Sequence, residues 1–213
     1  MAGKTEEKTI SKATIARMPL YLHYLQAASA RGEQFVSSTA IAQSVAVSAV
    51  LARKDLELVA SEPGRPRMGF SISRLIVDIE KFLGFDNASE AIVVGAGGLG
   101  RAFLGYEGFK QNGLSIVAAF DIDKELIGAK VSGKEILSMD GLEAFIREHN
   151  IRIGIITVPK HAAQGVLDRM VAAGIQAVWN FAPTPLRAPK EIVLKTEDLA
   201  ASLAILAGKI YKR

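Results

Sequence analysis

The 213-residue chain has no cysteine, which excludes disulfides and thiolate metal sites and leaves any redox role to a bound cofactor. Its first residues, MAGKTEEKTI, lack the apolar core of a signal peptide. No charge-free apolar run approaches the roughly 18 residues of a membrane span. A soluble, cytoplasmic protein with no membrane partner is therefore expected. Internal repeats and low-complexity segments are missing too. The chain has three histidines, His23, His149 and His161. None falls in a Ser/His/Asp arrangement, so neither a catalytic residue nor a metal site is expected.

What is present is 49% hydrophobic, enough for packed cores and too apolar for a disordered chain. The net charge of +4 is unevenly spread. Residues 11–74 hold eight basic side chains (Lys12, Arg17, Arg31, Arg53, Lys54, Arg65, Arg67, Arg74) and four acids (Glu33, Asp55, Glu57, Glu62). Beyond residue 85 the two signs nearly cancel. The positive excess lies in the front segment, where an anionic partner would meet it, although a solvated basic face is the common alternative.

The front segment reads as four helices and a turn. Ile15, Met18, Leu22 and Leu25 recur at helical spacing from Ser11 to about Arg31, with Pro19 either kinking that helix or starting it. QFVSS is a short extended piece. SSTAIAQSV and SAVLARKDLELVA follow as short helices, the second capped by Ser48. SEPGRPRMGF suits a two-stranded turn, and SISRLIVDIEKFLG a last helix closed by Gly84. Two short helices across a tight turn, with Arg53 and Lys54 on the second, match a helix-turn-helix. Ser37 and Ser48 at the helix starts would face phosphates, Arg53 and Lys54 phosphates or guanine edges, and Arg65 and Arg67 would lie on a wing. A small protein-interaction domain is the plainer alternative.

From Ala91 the texture alternates. Strands are predicted at 91–94, 115–120, 153–157, 177–180 and 192–194, with helices at 98–106, 141–148 and 161–173. Continuous β-branched runs of this kind belong to parallel strands covered on both faces, which argues for a Rossmann-like, doubly wound parallel sheet. AIVVGAGGLG (91–100) places Gly95, Gly97 and Gly100 at GxGxxG spacing between strand and helix, with Ala96, Gly98 and Leu99 completing the turn. The helix start would hold a pyrophosphate. Asp121, in FDID about twenty residues on, would hold the ribose hydroxyls and repel a 2′-phosphate, favouring NAD(H) over NADP(H). Thr157, Val158, Pro159 and Asn180 follow strands at the edge where ligands bind, as cofactor contacts or merely as stiff strand exits. A flavodoxin-like or CoA-type domain with a coincidental turn is the alternative. A nucleotide domain would use up the residues after the linker, leaving no evident place for a second reactant, which counts against a dehydrogenase with an accessory helical domain.

ARKDL (52–56), a wing, GAGGLG, FDID, TVP, NFAP and a closing EDLAASLAILAG, in that order, resemble the Rex family of redox-sensing repressors over nearly the whole chain. The resemblance implies a homodimer that binds double-stranded operator DNA through winged helices and is released when NADH binds, responding to the NADH/NAD+ ratio. It implies recognition-helix contacts from Arg53 and Lys54, with Arg17 near the DNA backbone. It further implies that Tyr106 contacts the cofactor and forms an interdomain polar relay with Asp198. Gly98 departs from the asparagine or arginine that the family often carries there. The implied domains are a winged helix at 1–84, an NAD(H)-binding domain at 85–197 and a dimerisation helix at 198–213 exchanged between subunits. That last helix is apolar on nearly every face (Leu199, Leu203, Ile205, Leu206, Ile210), which by itself suggests either a partner chain or a core position.

Overall fold

The computed structural model describes residues 10–84 and 89–211. Contacts divide the chain into two compact units, the first ending at Asn87 and the second beginning at Ala88. Among the described residues no helix is long and apolar enough to cross a membrane.

In the first unit, α1 (Lys12–Ala30) starts where the Ser11 hydroxyl accepts the Thr14 N–H. The helix begins well before Pro19 and continues through it. Proline removes one donor there, but its exposed position leaves the freed carbonyl within reach of solvent. Ile15, predicted to lie on the buried stripe, is 44% exposed. The buried line runs instead through Thr14, Met18, Tyr21, Leu25 and Ala28. α2 (Ser38–Ser44) and α3 (Ala49–Val59) are capped by the Ser37 and Ser48 hydroxyls, and α4 (Ile72–Phe82) closes the unit. Ile41, Leu56, Leu75 and Ile79 meet the α1 stripe in one core.

The glycine-proline stretch forms a tight turn bridged between Arg65 and Gly69. From there β2 (Phe70–Ser71) pairs antiparallel with β1 (Phe35–Val36). Gly69 has φ +87°, and a Cβ there would lie 2.1 Å from the Val36 carbonyl oxygen, so only glycine brings the turn against β1.

The second unit is a seven-stranded sheet in the order β5-β6-β4-β3-β7-β8-β9. The strands are β3 (Ser89–Val94), β4 (Leu114–Asp121), β5 (Lys130–Val131), β6 (Lys134–Ser138), β7 (Ile153–Ile156), β8 (Ala177–Asn180) and β9 (Val193–Thr196). All pairings are parallel except the β5–β6 hairpin. With β5 set aside this is the doubly wound order, reversing direction between β3 and β7. The hairpin goes beyond the predicted strands; its two-residue turn uses Ser132 (φ 50°) and Gly133 (φ 77°), as a tight hairpin requires.

Helices α5 (Gly98–Gly105), α6 (Leu142–Glu148) and α7 (Lys160–Ala173) cover the sheet. Leu104 of α5 packs in one layer with Val93 and Ile155, while Ile146 and Leu167 pack in another with Ile92 and Ile156. The terminal helix α8 (Leu199–Tyr211) has a different environment. Its Leu199, Leu203, Ile205, Leu206 and Ile210 are each 60% or more exposed, which rules out a core position within the single chain.

Candidate functional site

The glycine turn between β3 and α5 is fastened from both neighbouring strands. The Gly95 N–H donates to the Phe120 carbonyl on β4 at 2.8 Å. From β7, the Thr157 hydroxyl donates to the Gly95 carbonyl at 2.7 Å and reaches the Val94 carbonyl at 3.1 Å. Gly95 has φ +101°, and a Cβ on Gly100 would fall 1.9 Å from the Gly95 carbonyl oxygen. Both positions exclude other residues, one by backbone conformation and one by helix–strand approach. Gly97 and Gly98 differ: a Cβ at either meets nothing within 4 Å. The open side of the turn is thus where a diphosphate would lie, and the first-turn N–H groups of Gly98, Leu99 and Gly100 have no acceptor within the helix. These residues fit a dinucleotide.

Asp121 ends β4 with its carboxylate held by three backbone donors: Ala96 at 2.5 Å, Ile122 at 2.7 Å and Asp123 at 3.0 Å. A carboxylate has about four acceptor positions, so capacity for a ribose hydroxyl is left. A crevice of about 510 Å³ opens beside it. Gly95, Gly97, Asp121, Thr157, Val158 and Pro159 line it. Phe120, Ile122, Met139, Val166 and Phe181 also line it and were not foreseen. Ile122 is 83% exposed; an apolar residue directly after the acid, with no core left to enter, was the available signal. His161 lies in the first turn of α7 and lines the crevice as well.

Two expected cofactor contacts are placed elsewhere. Asn180 is fully buried, its amide donating to the Ala182 and Thr184 carbonyls and the Thr196 hydroxyl while its oxygen accepts the Ala182 N–H. It braces the strand exit, because a buried amide must satisfy itself locally. Tyr106 lies outside the crevice lining, 58% exposed, its ring edge-on to Phe109 at 4.9 Å. Asp198 caps α8, accepting the Ala201 N–H at 2.8 Å. Within the chain, the hydrogen bonds of the described residues do not join Tyr106 to Asp198.

On the first unit, Ser37, Arg53, Arg65 and Arg67 converge around a hollow of about 450 Å³ between α3 and the turn. The Arg65 guanidinium sits 5.3 Å from the centre of the Phe35 ring, which steadies it. Lys54 is exposed on α3 beside Arg53, and the Ser48 hydroxyl, accepting the Leu51 N–H at 3.2 Å, keeps its own proton to donate. Arg17 is corrected. Its guanidinium pairs with Asp55, whose side chain is 3% exposed, at 2.6 Å. Thr14 and Tyr21 complete the cluster. Burial alone would raise the Asp55 carboxyl, but hydrogen bonds from Arg17 and Tyr21 outweigh it and hold the group below the usual carboxylate range. Desolvation, then the bond to Asp55, pushes the Tyr21 phenol up to about 12. Arg17 is a brace between α1 and α3, since a buried acid needs a charged partner.

A family model described as "Putative DNA-binding protein N-terminus" matches residues 9–57, and one described as "CoA binding domain" matches residues 86–184. The redox-sensing transcriptional repressor Rex of Treponema denticola is 38% identical over 94% of this chain and 95% of its own length. The crystal structure of the repressor RSP in complex with β-NAD+ and operator DNA is 32% identical, covers 97% of this chain and 94% of its own, and superposes with a TM-score of 0.90. RSP in complex with β-NADH superposes with a TM-score of 0.85 at the same identity, covering 97% of this chain and 96% of its own.

Proposed function

Because this chain belongs to the Rex family of redox-sensing transcriptional repressors, we propose that it binds operator DNA as a homodimer and releases it when NADH binds. The observation that carries the reading is the presence, in one chain, of a crevice fitted to a dinucleotide and an exposed basic helix beside a winged turn. The first unit would supply the DNA contacts through Arg53, Lys54, Arg65 and Arg67, with Ser37 and Ser48 toward phosphates. Residues 85–197 would supply the NAD(H) site, with Gly95, Gly97, Gly100 and Asp121 at its centre. Residues 198–213 would supply the dimer contact. The uncovered α8 supports that last role, since apolar side chains on every face need a second surface.

The two effector forms differ by a hydride, and so by the charge on the nicotinamide. Enclosing an unpaired cation is expensive, so a closed apolar site beneath the partner's α8 favours the reduced ring. Dimeric readers need half-sites in register with the DNA turn, so rotating one subunit against the other is enough to lose the operator. Linkage then requires operator DNA to weaken NADH binding by the same factor. The test is operator affinity measured with NADH, with NAD+ and with neither. Weakening by NADH alone supports the reading, and three equal values end it. A dehydrogenase would instead consume NADH steadily with a carbonyl substrate, whereas the relatives named above are repressors.

A further inference from the structure

The lining of the crevice carries two ionisable side chains, Asp121 and His161, and neither lysine nor arginine. A dinucleotide brings two negative charges on its diphosphate, and Asp121 adds a third of the same sign. The α5 start answers with backbone N–H dipoles alone. Val94, Phe120, Met139, Val158 and Val166 make the walls apolar, so charge there is weakly screened. His161 is exposed in the first turn of α7 and, among the described residues, its imidazole has no hydrogen bond or ion pair. It is the one basic side chain in the lining.

Resting on the reading of the crevice as a dinucleotide site, we propose that His161 is a ligand of the diphosphate. The other charged groups nearby are Lys160, which precedes it on α7, and Asp168, which accepts from Gln164 one turn on. Asp121 and Asp123 stand at the end of β4, the second accepting the Glu125 N–H. Arg187, in the loop after β8, is tied through its backbone to Gln164.

ADP-ribose carries the diphosphate without the nicotinamide and is the probe. It is titrated calorimetrically into the full-length protein and its His161 variants. His161→Ala should weaken binding about tenfold, the size of a charge-assisted contact, with NADH and NAD+ weakening by the same factor. His161→Lys should bind at least as tightly as the parent. An ADP-ribose affinity unchanged in His161→Ala overturns the proposal. No binding of ADP-ribose or NADH by the parent protein overturns the dinucleotide reading beneath it instead.

Discussion

Arg17 and Asp55 lie 38 positions apart and are joined by two hydrogen bonds, Nε to Oδ2 at 2.6 Å and Nη2 to Oδ1 at 2.9 Å. They bind α1 to the inner side of α3, so the helix presenting Arg53 and Lys54 is held by a buried acid. Removing one partner of such a pair strands the other. Asp55→Ala should destabilise the first unit by about 3 kcal/mol, read as a lower urea midpoint by circular dichroism. Arg17→Lys, which keeps the charge but loses the planar fork, should fall between that variant and the parent.

The same cluster sets a pH window. The Asp55 carboxyl is lowered on folding, so its contribution is complete above the ordinary carboxylate pKa and is lost as pH falls through the lowered value. Tyr21 is raised to about 12, so its contribution is present below the ordinary phenol pKa and is lost as pH rises through about 12. Alkaline titration of tyrosinate absorbance should show a late-ionising phenol that Tyr21→Phe abolishes. Asp55→Asn should blunt the acid transition, and an unchanged acid midpoint in that variant would remove the carboxyl from the account.

The glycines of the turn should separate by phenotype. Gly100→Ala drives a methyl into the Gly95 carbonyl and should disturb folding of the second unit as well as binding. Gly97→Ala has room for its methyl and should leave the thermal midpoint within a few degrees of the parent. It should still weaken NADH tenfold or more, because the methyl occupies the diphosphate's approach. Nicotinamide fluorescence titration beside a melting curve reads both effects.

Asp121 gives a cofactor-selectivity test. Asp121→Asn keeps the shape and removes the charge that a 2′-phosphate would meet. NADPH affinity should rise relative to NADH by about tenfold, on the scale of one charge–charge contact. Competition between the two cofactors measures the ratio directly. A ratio that stays put would mean Asp121 serves only to hold the Ala96, Ile122 and Asp123 N–H groups.

On the DNA side, Arg53→Ala should cost about 1–3 kcal/mol if the guanidinium reads a guanine edge, with relaxed preference at that base. Arg67→Ala should weaken all sequences alike and reduce the salt slope of binding by about one. Gel shifts across a salt series, on matched and mismatched operators, distinguish the two patterns.

Much of this was legible because local periods report local structure. Helices α1 to α4, the glycine turn and the acid that ends β4 follow from local spacing and turn residues. Contacts that depend on remote partners were not. Arg17 reads as a free cation until Asp55 folds against it, and Asn180 reads as a strand-end ligand until its amide turns back on Ala182 and Thr184. The β5–β6 hairpin is too short for alternation to register, though Ser132–Gly133 between two short segments was a turn signal. His161 looked ordinary because nothing in a lone histidine reveals that the lining it joins has no other cation.

The hydrogen bonds from Gly95 to Phe120 and from Thr157 to Gly95 mean that the phosphate cradle is suspended between β4 and β7 rather than built on β3 alone. A genetic screen for cells in which target genes stay silent despite abundant NADH should therefore yield two kinds of allele. Some will strike the glycines. Others, at Thr157 or in the packing around Phe120, will loosen the mooring from beneath and so deafen the repressor without altering any group that meets its signal.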